Sequence, residues 1–176
     1  MKMKRNEQEL LPDVQELGAD VLASQRFQDA WKIPHHGNVS VAMHSLHVEK
    51  ESLRLARWLN RHGGHVNEKD AVCSSLLHDI GMTERVIHKS MPWVKAYTHP
   101  TRGSTLAEEE YHVNAVQADA IKRHMWPICV IPPRHITGWV VTAADKISSM
   151  KEVLGNQKTT PVLQEKDGVG KHDGIL

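Results

Sequence analysis

The spacing of apolar residues along the chain predicts helices and gives no convincing sign of strands. Apolar side chains recur every three or four residues in most segments, as on the buried face of a helix. The predicted helices cover residues 7–17, 20–31, 40–60, 67–79, 104–111, 116–124 and 136–154, with Asn67 and Ser104 as predicted N-caps. Prolines make the segments 81–103 and 125–134 irregular in this prediction. The expected fold class is therefore all-α.

Length and composition narrow the class of protein. Residues 1–155 are predicted to form one domain, whereas the shift to glycine and polar residues over 156–176 predicts a mobile tail. The formal net charge of +1 argues against a nucleic-acid polymer as partner. No run is apolar enough for a signal peptide or a membrane span, so a cytoplasmic protein without membrane contact is expected. The sequence is compatible with a homo-oligomer but does not define one.

Histidine is the residue whose usage stands out. The chain has 13 histidines, and histidine is both the commonest metal ligand and a base near neutral pH. Its two cysteines, Cys73 and Cys129, are far apart, so a zinc knuckle or a disulfide framework is not supported.

The sequence His78-Asp79-Ile80-Gly81 closes an apolar helical stretch. Adjacent helical side chains point about 100° apart, but both can face one metal ion set beside the helix end. Gly81 is expected to let the chain leave the helix in a left-handed turn. A surface His-Asp pair at a frayed helix end is the alternative.

Two further helices carry polar residues near their packing faces. His44 lies in the apolar stripe of the helix predicted over 40–60, and Asp145 lies beside the stripe of the last helix. A histidine satisfied in the core and an Asp145–Lys146 pair are the plainer interpretations. Because an aspartate inside an apolar helix is costly without a partner, convergence of these residues on a metal is the stronger hypothesis. Nitrogen and oxygen ligands of this kind suit Mn, Fe, Co, Ni or Zn.

These residues resemble the pattern of the HD-domain metal-dependent phosphohydrolases. In that family a histidine on one helix, a His-Asp pair on a later helix and a distal aspartate hold the metal, and here they match His44, His78-Asp79 and Asp145. The His-Asp-Ile-Gly form and the Ala144-Asp145-Lys146 segment strengthen the resemblance, which covers roughly residues 25–152. The resemblance implies a compact bundle of five or more helices around the metal.

The resemblance also implies a second ion. Multi-metal HD proteins place two further histidines between the His-Asp pair and the distal aspartate, and His99 and His124 occupy that interval. Asp79 would then bridge the ions, so one or two divalent ions are expected and two are favoured. A loop histidine before proline and a helix-end histidine are the plain alternatives for His99 and His124. His35 and His36 are expected to be exposed turn residues, with contact to a metal or substrate as the alternative.

By this resemblance the chain is expected to be an enzyme, a phosphatase or phosphodiesterase. The substrate would be a small phosphomonoester or phosphodiester, most plausibly a nucleotide, cleaved by a metal-activated water. His78, Asp79 and Lys146 are assigned to the catalytic centre. The cations considered for the phosphate are Lys146, Lys95, Arg102 and Arg123, with a solvated surface position as the plain alternative for each. The chain lacks the glycine-tyrosine-proline signature of the subgroup that degrades cyclic-di-GMP, so that substrate is not expected.

Two other interpretations stay open. The first is a non-catalytic, metal-containing HD domain that binds a nucleotide or a protein partner. The second is a helical bundle that merely satisfies its histidines in the core. Metal stoichiometry separates the second from the rest, and turnover separates the enzyme from the binding domain.

Overall fold

The computed structural model describes residues 13–36 and 39–155, apart from the side chains of His36 and His88. The predicted tail, 156–176, and the start of the first predicted helix, 7–12, lie outside the described residues. The regular structure of the described chain is almost entirely helical, which confirms the all-α prediction. No helix in the described ranges combines the length and apolar character needed to cross a membrane.

The elements follow one another in a simple order. Residues 13–17 form α1, and the others are α2 (Ala19–Ala23), α3 (Gln25–Ala30), β1 (Pro34–His36), β2 (Val39–Ser40), α4 (Val41–Arg61), α5 (Glu68–Leu77), a 3₁₀ turn (Ile80–Thr83), α6 (Arg85–His88), α7 (Pro92–Tyr111), α8 (Ala115–Arg123) and α9 (Ile136–Val153). Helix α4 packs against α5 and α9, and α8 packs against α5, α7 and α9. The result is a bundle in which these five helices surround one interior.

Side-chain caps fix where the central helices begin. The Ser40 hydroxyl accepts a hydrogen bond from the Met43 N–H at the start of α4, and the Asn67 side chain accepts from the Asp70 N–H at the start of α5. These bonds satisfy backbone N–H groups that a first helical turn leaves without partners. The structure confirms Asn67 as an N-cap. It also confirms the bounds of the helices predicted over 40–60 and 136–154 to within a residue.

The N-terminal part of the chain differs from the prediction. The single helix predicted over 20–31 is two short helices, because Ser24 takes an extended conformation and caps α3 through the Phe27 N–H. The turn expected at 33–38 includes strand β1, which pairs antiparallel with β2. This hairpin, which period-2 patterning does not reveal, brings its residues against α4 and α9.

The prediction that residues 81–103 are irregular is wrong, because α7 already begins at Pro92. Pro92 lies in the first turn of α7, where a missing N–H costs little, and Pro100 lies inside the helix. Pro100 has no N–H to donate to the carbonyl of Ala96. This carbonyl lies 3.8 Å from the sulfur of Cys129 and accepts a weak hydrogen bond from its thiol. Ser104 is no cap: it lies within α7 and donates to the Ala118 carbonyl of α8.

One glutamate of α4 is almost fully buried. Glutamate is a residue type that is mostly exposed in folded proteins, yet Glu49 is 1% exposed. Burial raises its pKa to about 8, so this carboxyl is largely neutral at pH 7. The helix therefore buries more of its circumference than its apolar stripe indicates, since α5 and α9 cover it from two sides.

Gly81 does not make the left-handed turn that the sequence predicted. It belongs to the 3₁₀ turn after His78-Asp79, and its φ is not positive. A Cβ on Gly81 would collide with the carbonyl oxygen of His99 and lie 2.8 Å from the Gly103 nitrogen. Gly81 is needed because the turn and α7 touch backbone to backbone.

We predict that Gly81→Ala destabilises the fold by at least about 1–3 kcal/mol, the usual range for overpacking, because the backbone of α7 cannot yield as a side chain does. Thermal unfolding measures the change. Thr105→Ala is the control, since its hydroxyl bonds only to the Thr101 carbonyl within α7. Equal melting temperatures for Gly81→Ala and the control would contradict the close approach.

Candidate metal centre

The structure brings the six predicted metal ligands into one buried cluster. They come from α4, the end of α5, α7, the end of α8 and α9, and they are His44, His78, Asp79, His99, His124 and Asp145. None of the six residues is more than 6% exposed. His99 is therefore a buried helical residue rather than the loop residue of the plain alternative.

Asp79 lies at the middle of the cluster, and its two oxygens face different histidines. Oδ1 lies 3.1 Å from His99 Nε2 and 3.6 Å from His124 Nε2. Oδ2 lies 3.5 Å from His78 Nε2 and 3.9 Å from His44 Nε2. One carboxylate thus divides the centre into two halves, as a bridging ligand would.

Asp145 closes the His44 side of the cluster. Its Oδ1 lies 3.2 Å from His44 Nε2 and 3.3 Å from the Ser149 hydroxyl, which donates to it. Its Oδ2 accepts a hydrogen bond from the Lys146 ammonium at 2.6 Å. The Asp145–Lys146 pair considered as an alternative is therefore present, and it coexists with the contact to His44.

A hydrogen bond fixes which nitrogen each histidine presents to the centre. A main-chain carbonyl can only accept, so a ring nitrogen beside one must carry the proton. The carbonyls that accept from Nδ1 of His78, His99 and His124 belong to Ser75, Lys95 and Ile121, at 2.7, 2.6 and 2.7 Å. When each ring is neutral, its Nε2 lone pair points into the cluster.

His78 provides the observation that tests whether a metal fits. Burial lowers the pKa of His78 to about 3, so the ring is neutral. Its Nε2 is buried and has no hydrogen-bond partner in the described chain. A buried acceptor left unmatched is costly, and a cation among these carboxylates would satisfy it.

The charges around His78 favour a cation. Burial alone would raise the pKa of Asp79, but the neighbouring His78 and His35 hold it well below the usual range. Burial would likewise raise the pKa of Asp145, but its hydrogen bond to His44 keeps it far below the usual range. Both carboxylates are thus ionised at neutral pH.

His44 is a charged histidine in this cluster. Burial would lower its pKa, but hydrogen bonds to Asp145 and Glu152 raise it to about 10. In the metal-free protein the ring is therefore protonated on both nitrogens near neutral pH.

The donor set fits a first-row divalent ion. Four imidazole nitrogens and two carboxylates combine borderline and hard ligands, which suit Mn, Fe, Co, Ni or Zn. Three sets of side chains in the described chain bring donor atoms within 4.8 Å of one another: His35, His44 and Asp79; His44, His78 and Asp145; and His78, Asp79 and His124. The arrangement could hold one ion on either side of Asp79, or two together.

His35 is a member of the centre that the sequence placed in an exposed turn. Its side chain is 12% exposed, and its Nε2 lies 3.4 Å from Asp79 Oδ2. Its ring centroid lies 4.4 Å from that of His44. The turn prediction failed because the β1–β2 hairpin folds back over the centre. The side chain of His36 lies outside the described residues.

A cavity of about 460 Å³ opens onto the centre. Asp79, His99, His124 and Asp145 reach its surface, and Lys95 and Lys146 lie in its walls. Arg102 and Arg123, predicted as further cations for the phosphate, are engaged elsewhere. Arg102 lies 3.5 Å from Glu84, and Arg123 lies 2.5 Å from Asp119.

Sequence reasoning missed two residues behind His44. Glu152 contacts Nδ1 of both His44 and His47 with its carboxylate. A signal for Glu152 exists: it follows Asp145 by seven residues, which is two helical turns on the same face. His47 similarly follows His44 by about one turn.

Comparison with known proteins gives the class. The family model described as HD domain matches residues 41–150, more than half of the chain, and the match contains all six predicted ligands. The chain belongs to the HD-domain family, a family of metal-dependent phosphohydrolases. No curated protein and no solved structure matches it significantly.

We predict that metal binding releases a proton from His44. With a pKa of about 10, Nε2 of His44 carries a proton at pH 7, and an ion binding there must displace it. The apparent metal affinity should therefore rise with pH up to about 10. Calorimetry in buffers of different ionisation enthalpy should show about one proton released by His44.

His78→Ala is the control: it should weaken metal binding but keep this proton release, because His78 is neutral. Binding to the wild type without proton release would contradict the prediction.

Proposed function

We propose that this chain is an enzyme that hydrolyses a small phosphomonoester or phosphodiester, with a nucleotide as the first candidate. The observation that carries the proposal is the cavity over the centre. Two aspartates and two histidines form its floor, and two lysines stand in its walls. Anion-binding cations beside a metal-type donor set are the arrangement that phosphoryl chemistry needs.

The proposal assigns the ions to the six side chains in two groups. His44, His78, Asp79 and Asp145 would hold one ion, and Asp79, His99 and His124 would hold a second. When bound, such ions lower the pKa of water toward neutrality and stabilise charge on phosphoryl oxygens. The activity assay below compares Mn, Fe, Co, Ni and Zn as the metal.

The chain's own contribution at the phosphate is assigned to Lys146. Its side chain is 41% exposed, and its ammonium lies 2.6 Å from Asp145 Oδ2 at the cavity wall. A cation fixed in place loses little entropy when the anion arrives. Lys95, also in the cavity wall, is the second candidate for this role.

Asp79 and His78 keep their assigned places in the catalytic centre. Asp79 is ionised and central, so it can orient a hydrogen-bond donor such as water at the cavity floor. His78 is fully buried and presents Nε2 from below, so its assigned role is to hold the centre rather than to touch the substrate.

The shape of the cavity supports an ester whose alcohol part is partly apolar. About 460 Å³ lies within the range of small-ligand pockets. Part of its wall is apolar, and this part consists of Pro34, Met82, Pro92, Ala96, Met125 and Ile128. A nucleoside or a comparable group could lie against these residues with its phosphate over the centre.

We predict that phosphate release by the wild type depends on added metal and is lost in Asp79→Ala. The assay uses a panel of nucleotides and simple phosphoesters with Mn, Fe, Co, Ni and Zn in turn. Asp29→Ala, which removes an exposed surface carboxylate, should keep full activity. Metal binding without turnover of any ester would contradict the enzyme and favour an HD domain that only binds its ligand.

We further predict that Lys146→Gln lowers kcat/KM by at least about tenfold, because a positioned charge at the phosphate is lost. Its metal content should stay that of the wild type, since Lys146 is not among the proposed ligands. Lys122→Gln, on the exposed face of α8, is the matched control. Unchanged turnover in Lys146→Gln would remove this residue from the mechanism.

A further inference from the structure

One of the four histidines predicted as ligands is held differently from the other three. His78, His99 and His124 each donate Nδ1–H to a main-chain carbonyl. Nδ1 of His44 instead donates to a carboxylate, with Glu152 Oε1 at 3.1 Å and Oε2 at 3.0 Å. The His44 ring therefore has a carboxylate behind it, where the other three rings have an uncharged carbonyl.

The Glu152 carboxylate is built into the bundle. Its side chain is 1% exposed, and Oε1 lies 2.7 Å from Nδ1 of His47, one turn along α4 from His44. Contacts from two rings hold the carboxylate between α4 and α9.

A carboxylate and a carbonyl affect an imidazole to different degrees. Both fix the tautomer, but the carboxylate also pulls the Nδ1 proton more strongly, which makes Nε2 a better donor to a cation. Changing such outer partners commonly alters metal affinity by about 10- to 100-fold.

The charges of the two halves of the centre differ in the same direction. Asp79 is shared between them. The His44 half adds the Asp145 carboxylate directly and the Glu152 carboxylate behind the ring, whereas the other half adds His99 and His124, which are held by carbonyls. Two further carboxylates therefore favour a cation on the His44 side, although the Lys146 ammonium offsets part of the charge of Asp145.

We propose that Glu152 is a positioning residue for His44 and makes the half formed by His44, His78, Asp79 and Asp145 the tighter metal site. This half then fills before the half formed with His99 and His124. The inference rests on the proposed metal centre. It adds an order of loading and assigns that order to a residue outside the matched family segment, which ends at residue 150.

The test titrates the full chain with Co²⁺, follows the visible absorption bands, and measures affinity by competition with a chelator. In Glu152→Gln, an isosteric neutral change, the first equivalent should bind about 10- to 100-fold more weakly, and its absorption spectrum should shift. The second equivalent should bind as in the wild type. In His124→Ala the first equivalent should stay and the second should be lost, which identifies the half that fills first.

Glu49→Gln is the matched control, because it makes the same exchange at another buried glutamate of the bundle while leaving the histidines untouched. Both equivalents should bind to it as to the wild type, and the metal-free melting temperatures of both Gln variants show whether the fold is kept. If Glu152→Gln does not fold, Glu152→Asp replaces it, since the shortened side chain draws the carboxylate away from His44 and should weaken the same equivalent.

Three results would overturn the proposal while leaving the metal centre intact. They are wild-type affinity for the first equivalent in the Glu152 variant, equal weakening in Glu49→Gln, and loss of the first equivalent in His124→Ala. A wild type that binds no Co²⁺ would instead contradict the metal centre itself, and with it the proposed function.

Discussion

The burial of one carboxylate, that of Asp79, governs the rest of this structure. An ionised group 3% exposed to solvent is costly unless charges and donors surround it, and Asp79 is surrounded by histidine rings. Those rings come from α4, the end of α5, α7, the end of α8 and the β1–β2 hairpin, so the helices must converge on this point. Gly81 follows from the same constraint, since only a residue without Cβ lets the turn after Asp79 touch α7.

The same type of hydrogen bond orients two of the predicted ligands and ends their helices. His78 and His124 are the C-caps of α5 and α8, and each donates to a carbonyl of the last turn. Such carbonyls have no partner within the helix. One hydrogen bond thus satisfies a helix end and turns Nε2 toward the centre. His44, in the first turn of α4, has no such carbonyl, and Glu152 of α9 takes its place.

Residues that obey local rules were predictable from the sequence. His44 and Asp145 lie in or beside apolar stripes of long helices, and the His-Asp pair closes a third, so helical periodicity with the family resemblance identified them. Features that depend on distant contacts were not predictable. By local rules Pro100 indicates a break in the helix. The Ala96 carbonyl, which Pro100 leaves without a helical partner, instead accepts a hydrogen bond from the thiol of Cys129, 33 residues after Ala96 in sequence. His35 reaches the centre only because a short hairpin folds over it, which no pattern of apolar positions shows.

If the buried cluster around Asp79 is a metal site, a divalent ion must lie within it. Anomalous diffraction tests this on crystals of the full chain grown with Mn²⁺, recorded on both sides of the metal absorption edge. We expect anomalous density beside Asp79, in contact with Nε2 of the surrounding histidines, and none in crystals of Asp79→Ala. Density found only at surface histidines such as His62 and His65, or the same peaks in both proteins, would contradict it.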